Sequence, residues 1–375
     1  MSKTPTKHNS FLKGLFLLVN SLVALFLLLS YFSVYINPKS FSIIAFFGLG
    51  YPVILAINLL FVLFWFFVKP KFSFISIVFI LLGWNHIGRL VQFNSTTEID
   101  TNSKQINILS YNIQNFVKEN TSTTKYIESS EIQQGITKFI GRQKADIICL
   151  QEVLYDKENF SQFPEQLGEK FDCPHSFSRN YYPKRSGKID ALMILTKFPI
   201  INKGHFEYHE KTIGIYCDIM ANGDTIRLYN LHLASIHFRR EEYDFFSDIT
   251  KQQNQEEFKT NTRQIISKMN TAFIKRGNQT NILTEHISKS PYPVIICGDF
   301  NDTPSSFAYH EISKNLNDAF VESGKGFGIT YAGKDFPAFR IDYIFHNKQY
   351  SSVNFTKHKI SFSDHYPISC TLIRD

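Results

Sequence analysis

Two long apolar runs open the chain. Leu12 to Tyr35 carries one formal charge, Lys13, at its end, and Phe41 to Val68 carries none, with Asn58 as its polar exception. Each is long enough to cross a hydrocarbon core of about 30 Å at about 1.5 Å per residue. Neither shows the polar face of a helix that packs on a soluble core. The first is too long for the apolar part of a signal peptide, and no small-residue cleavage site follows it cleanly. A third run starts at Phe72, is strongly apolar to Trp84, and then meets Asn85, His86 and Arg89. The pattern predicts an all-α anchor over residues 1–93 with about three transmembrane helices, the third being the weakest.

Residues 94–105 (NSTTEIDTNSKQ) are polar and predict a linker. Beyond them the pattern changes to short β-branched runs alternating with amphipathic stretches. Strands are predicted at Ile106–Tyr111, Ile147–Gln151, Ala191–Thr196, Ile213–Met220, Thr225–Leu233, Pro293–Cys297, Ile341–Phe345 and Cys370–Ile373. Helices are predicted at Ile127–Arg142 and Glu257–Phe273. Residues 106–375 are therefore one α/β domain with a sizeable core.

Charge sharpens this division. The formal net charge is +7, yet the seven basic residues before Glu98, the first acid, account for all of it. The rest of the chain is neutral, which removes the basic balance as a nucleic-acid signature. The hydrophobic content of 43% excludes disorder. The five cysteines are too scattered for a disulfide scaffold, and no CxxC pair offers a zinc site. Basic residues also give an orientation. Lys3, Lys7 and Lys13 flank the first run and Lys69 and Lys71 follow the second, whereas the first loop has Lys39 alone. The N-terminus is expected in the cytoplasm. Three spans would put the domain outside, at the outer side of a bacterial inner membrane; a third run that only dips into the interface would leave it inside.

The chemistry lies where strands end. Asn112 follows ILSY, Glu152 follows DIICLQ, His232 follows IRLYNL, and Asp299 and Asn301 follow VIICG. Asp342 sits in FRIDYIF, and Asp364 and His365 are adjacent. Each has an ordinary explanation as a turn, cap or surface residue. Together they form a hard-metal set: carboxylates and amide oxygens suit Mg²⁺ or Mn²⁺, and histidines handle phosphate oxygens and protons. No GxxxxGK[ST] loop or GxSxG elbow is present.

The segments ILSYNIQNF, DIICLQEV, ALMILTKFPI, LYNLHLAS, VIICGDFNDTP, RIDYIF and SDHYPI resemble, in order, those of the endonuclease/exonuclease/phosphatase (DNase I-like) superfamily, over about Ile106 to Asp375. The resemblance implies a four-layer sandwich of two packed β-sheets flanked by helices. It also implies roles. Glu152 would be the principal metal ligand, with Asn112 and Asp364 completing the metal region. Asp299 would align or deprotonate the attacking water, and Asn301 would contact phosphate. His365, oriented by Asp342, would contact the scissile phosphate. His232 would be a second histidine of the site, and Asp190, just before ALMILT, its acidic partner. Apurinic endonucleases of the superfamily carry an Asp two residues after the first-motif Asn. Gln114 stands there, which argues against that branch.

The expected activity is Mg²⁺-dependent phosphodiester hydrolysis by a bilayer-anchored enzyme, with nucleic acid as the first substrate and a phospholipase C-like or phosphatase action on lipid or inositol phosphate headgroups as the alternative. A non-catalytic scaffold is a remote third reading, since no site position is broken. No protein partner can be inferred. Lys184-Arg185 and Arg239-Arg240 are small basic clusters, and Tyr331 and Phe336 could stack on a base or lie against lipid.

Overall fold

A computed structural model of the chain describes residues 7–374, apart from 96–103, 121–124, 157, 159–161, 182–187, 237, 239–241, 243–254, 332 and 334–337. The two basic clusters, Phe336 and most of the expected linker lie outside the described residues. The first apolar run forms α1 (Lys7–Phe32) and the second α2 (Ile43–Val68). They pack antiparallel, with Phe16 stacked on Phe64 at one end and Tyr31 beside Tyr51 at the other. These two helices are long and apolar enough to cross a membrane.

The third run is not one continuous helix. A turn at Pro70–Phe72 leads into α3 (Ser73–Leu82), and Gly83 separates this from α4 (Trp84–Gly88). Ten residues of α3 reach only about 15 Å. The break has a local cause: Tyr31 lies over this point, its hydroxyl donating to the Phe79 carbonyl (3.0 Å) and its ring stacked on His86. The broken run nevertheless returns alongside α1. Ser76 bonds Asn20 (2.7 Å) near the middle of α1, and Phe79 and His86 meet Tyr31 near its end.

β1 (Val91–Phe93) then leads into the sandwich. Next come β2 (Gln105–Asn112), the hairpin β3 (Val117–Asn120) and β4 (Lys125–Glu128), α5 (Ser130–Gln143), β5 (Ile147–Asp156), α6 (Gln162–Lys170) and β6 (His175–Asn180). These are followed by β7 (Lys188–Thr196), β8 (Ile200–Tyr208), β9 (Lys211–Ala221), β10 (Asp224–His232) and the long helix α7 (Gln255–Ser288). The chain ends with β11 (Val294–Asp299), α8 (Phe307–Ser313), β12 (Leu316–Asp318), α9 (Ala319–Ser323), β13 (Lys325–Phe327), β14 (Asp342–Asn347), β15 (Tyr350–Lys357) and β16 (Ile368–Arg374). Two six-stranded mixed sheets result, ordered β15-β16-β2-β5-β7-β6 and β12-β14-β11-β10-β9-β8.

Alternation along the strands builds the layers. Ile147 and Cys149 face the second sheet, while Ile148 and Leu150 face α5 through Ile136 and Ile140. On the other side Tyr229 and Leu231 meet Leu283 of α7 and Tyr309 of α8. This is the expected DNase I-like arrangement of two packed sheets flanked by helices. The helix expected from Ile127 starts at Ser130, because residues through Glu128 pair in β4 and the Ser129 side chain caps the helix by accepting from the Ile132 N–H (3.3 Å). The helix expected to end at Phe273 continues to Ser288.

Candidate active site

Register across the sheets places the polar strand ends. β10 and β11 run parallel with His232 opposite Asp299, and β11 and β14 run antiparallel with Asp299 opposite Asp342. Three functional groups therefore lie in one row at the end of one sheet. From the facing sheet come Asn112 at the end of β2 and Glu152 on β5. Glu152 is lifted out of the ladder by a bulge between Leu150 and Val153, where its backbone takes a left-handed φ of 55°. A bulge of this kind re-aims a side chain, and its strain is characteristic of functional positions. Asn301 has a similar φ of 51°. Gly298, just before Asp299, is required: its φ is +143°, and a Cβ there would lie 2.0 Å from the Leu231 carbonyl oxygen.

A buried amide joins the two sheets beneath these groups. Asn230 donates to the carbonyls of Leu150 and Met193 (2.9 Å each) and accepts from the Gln151 side chain (2.6 Å). It fixes β10 against β5, and so His232 against Glu152. On the outer side α7 holds the loops through Arg276, which donates to the Asp302 carboxylate (2.9 Å) and the Ala234 carbonyl (2.8 Å). Ser306 caps α8, accepting from the Tyr309 N–H (3.2 Å).

The site itself is a network. Asn112 Nδ2 donates to Glu152 Oε1 (3.2 Å) and Asp299 Oδ2 (3.0 Å). The Asn301 N–H donates to Asp299 Oδ1 (2.8 Å) and its amide to Oδ2 (3.2 Å). His365 Nδ1 lies 2.9 Å from Asp342 Oδ2, and its Nε2 lies 3.7 Å from Asp299 Oδ2. His232 Nε2 is 3.6 Å from both Glu152 and Asp299. Gln114 accepts from the Asp364 N–H (3.3 Å), so the amide standing in for the apurinic-branch Asp holds the Asp364 backbone in place.

Eight of the nine expected residues are joined by these contacts, and the ninth, Asp190, lies close enough for its charge to act on Glu152 and Tyr181. Ile189 and Ala191 point to the outer layer, so Asp190 turns inward, toward Tyr181. The contact at His232 Nδ1 is Tyr181 Oη, at 2.5 Å. Nothing in the sequence singled out Tyr181 or Asn230, because each is an ordinary core residue until the two sheets are brought together.

Electrostatics marks the same groups. Burial raises the Glu152 carboxyl to about 7, and the nearby charges of Asp364 and Asp190 add to this. Burial likewise raises Asp299 to about 7 against the pull of His365, and it also raises Asp364. Burial alone would lower His365, but Asp342 and Asp299 outweigh it and hold the ring protonated well above its usual range. Asp299, Asp342 and His365 are close enough to share a cation. A protonated imidazole bonded to Asp342, however, has no lone pair to offer. Glu152 and Asp364, two mutually repelling carboxylates on one pocket, fit a hard cation better. The 26% exposure of the Glu152 side chain leaves it open to the pocket.

A family model described as the Endonuclease/Exonuclease/phosphatase family matches residues 109–365, and a Domain of unknown function (DUF8431) matches residues 13–90. No curated protein matches the chain. Among solved structures, the chain is similar to an endonuclease/exonuclease/phosphatase family protein from Leptotrichia buccalis C-1013-b (19% identity, TM-score 0.49, covering 71% of this chain and 98% of that one). A second is the endonuclease/exonuclease/phosphatase from Beutenbergia cavernae DSM 12333 (15%, 0.49, 72% and 72%). A third is the human Nocturnin catalytic domain with bound sulfate anion (17%, 0.47, 74% and 96%).

Proposed function

The chain belongs to the endonuclease/exonuclease/phosphatase family, and from that premise we propose that it is a membrane-anchored, divalent-metal-dependent phosphodiesterase. The observation that carries the reading is the convergence of Glu152, Asp299, Asn301 and His365 on one pocket of about 140 Å³, with Asp364 on its wall.

Glu152 and Asp364, helped by Asn112, would hold Mg²⁺ or Mn²⁺. Such an ion supplies charge neutralisation for the phosphoryl oxygens. The remaining steps belong to the side chains. Asp299, fixed by two bonds from Asn301, orients a water and accepts its proton. His365, kept charged by Asp342, donates to a phosphate oxygen where negative charge builds up. His232, set by Tyr181, presents Nε2 between Glu152 and Asp299. Water adds to phosphorus, one P–O ester bond breaks, and the leaving alkoxide takes up a proton.

Anchoring by the N-terminal helices is supported by their exposed surface, which includes Phe11, Leu15, Leu22, Leu60 and Phe67. Packing supports an orientation. Ser33 and Arg89 both meet the sandwich, at Ser305 and Pro304, so the first loop and the end of the third run share one side. Lys13, Lys69 and Lys71 belong to the opposite end, where Phe16 meets Phe64 and Lys69 and Lys71 lie over Phe72. The positive end faces the cytoplasm and the sandwich lies outside it. This supports the three-crossing topology despite the break at Gly83.

The test is hydrolysis of bis(para-nitrophenyl) phosphate by the full chain in detergent. Turnover that requires Mg²⁺ or Mn²⁺ and falls about 10³-fold in Asp299→Asn is expected. Turnover insensitive to both EDTA and Asp299→Asn would refute the reading.

A further inference from the structure

The helical segment does more than lie near the sandwich. Gly48 of α2 touches backbone on the loop after β11: a Cβ there would lie 2.4 Å from the Ser305 carbonyl oxygen. Ser33 donates to that same oxygen (2.6 Å). Phe46 meets Phe273 of α7 edge to face (5.0 Å), and the Arg89 guanidinium lies 5.1 Å over the Tyr309 ring. This loop carries Asn301 and Asp302, so the helices are seated on the element that positions the site. One turn on from Phe46, Leu49 lines the pocket that also contains Glu152, Asp299 and His365.

The length of the helices sets the height of that pocket. Counting from Phe11 on α1 and back from Val68 on α2, about 20 residues, or roughly 30 Å, end near Ser30 and Leu49. These two positions are level, because Tyr31 neighbours Tyr51 and Gly48 abuts Ser33. A hydrocarbon core of that thickness around these helices would end close to the pocket wall. The wall continues as apolar side chains, Phe238, Phe273 and Phe339. Among the described residues lining the pocket, Arg276 is the single Lys or Arg, and it is committed to Asp302 and Ala234. A nucleic-acid strand draws its affinity from Lys and Arg contacts to phosphate. An acyl-bearing phosphodiester needs an apolar wall instead.

We propose that α2 is the membrane-side wall of the active site, and that the substrate is a phosphodiester lipid that keeps its acyl chains in the bilayer while its phosphate reaches Asp299 and His365. This rests on the phosphodiesterase reading above. Water adds to phosphorus and one ester oxygen leaves as an alcohol, so the products are a phosphomonoester and an alcohol, one of them still in the membrane.

The test uses the full chain in nanodiscs with Mg²⁺. The discs contain phosphatidylglycerol, phosphatidylethanolamine, phosphatidylcholine or sphingomyelin. Bis(para-nitrophenyl) phosphate and a single-stranded oligonucleotide are offered separately. Turnover of at least one disc lipid is expected, with its short-chain soluble analogue processed about tenfold more slowly. Leu49→Trp is expected to lower the ratio of lipid to bis(para-nitrophenyl) phosphate turnover by about tenfold. The analogue comparison needs no variant and so survives a failure of Leu49→Trp to fold. Three results overturn the proposal while the phosphodiesterase reading stands: the small diester is cleaved but no lipid is, the oligonucleotide is cut faster than every lipid, or the soluble analogue matches the disc lipid. Loss of all activity on the small diester would overturn the phosphodiesterase reading itself.

Discussion

The helical segment and the sandwich are built inside out with respect to one another. In the sandwich the buried set is mostly Ile, Leu, Cys, Ala and aromatic, and buried polar residues include the site and its supports, Asn112, Asn230, His232, Asp299, Asp342 and His365. In the helices Asn20, Ser30, Ser33, Asn58 and Ser76 are buried while Phe11, Phe16, Leu22, Leu60 and Phe67 are exposed. Each region exposes a different kind of surface. Water solvates the first, and the second is complementary to hydrocarbon, where polar groups retreat inward to find partners. The two patterns meet where Gly48 and Leu49 reach the loop after β11.

The largest effect that sharpens this contrast is at the sandwich's polar cluster. Glu152→Gln should lower diester turnover about 10³-fold, measured at saturating metal, with the fold intact by circular dichroism. Next comes the outer face of the helices. Leu22→Arg should destabilise the protein in bilayers by about 3 kcal/mol, whereas Ile201→Arg on the water-facing sandwich should stay within about 0.5 kcal/mol. Equal effects at the two positions would break the comparison.

A third test is pH. Free Asp and Glu titrate near 4, but Glu152 and Asp299 are raised by burial to about 7. Between those values the folded state holds more protons than the unfolded chain, so stability without metal should fall as pH rises from about 4 to 7. Added Mn²⁺ should restore it most at the upper end, because the cation binds the deprotonated carboxylates. Thermal unfolding with and without Mn²⁺ across that range reads this directly. The smallest effect is inside the helices: Asn20→Leu, which removes the acceptor of the Ser76 hydroxyl, should cost about 1 kcal/mol.

How much of this was legible in the chain depends on burial. All eight strands expected from the sequence are the inner strands of the two sheets: β16, β2, β5 and β7 in one, β14, β11, β10 and β9 in the other. The strands at the edges, β15, β6, β12 and β8, were missed. An edge strand is covered less and carries a mixed pattern, as IINKGHFEY in β8 shows. The site motifs were readable because β11 and the later part of the parallel β10 are buried, which leaves their polar ends conspicuous. Tyr181 on His232 and the Asn230 bridge were not readable, since they depend on the packing of one sheet against the other. The break at Gly83 was only half visible: Asn85 and His86 marked the run as weak, but the pressure of Tyr31 comes from another helix.

The account turns on whether the buried carboxylates form a cation site, and a calorimetric Mn²⁺ titration of the full chain tests this most directly. A single site is expected that weakens from pH 8 to pH 6 with proton release, and that is lost in Glu152→Gln and weakened in Asp364→Asn. Binding of unchanged affinity in both variants, or no binding to the wild-type chain at pH 8, would contradict it.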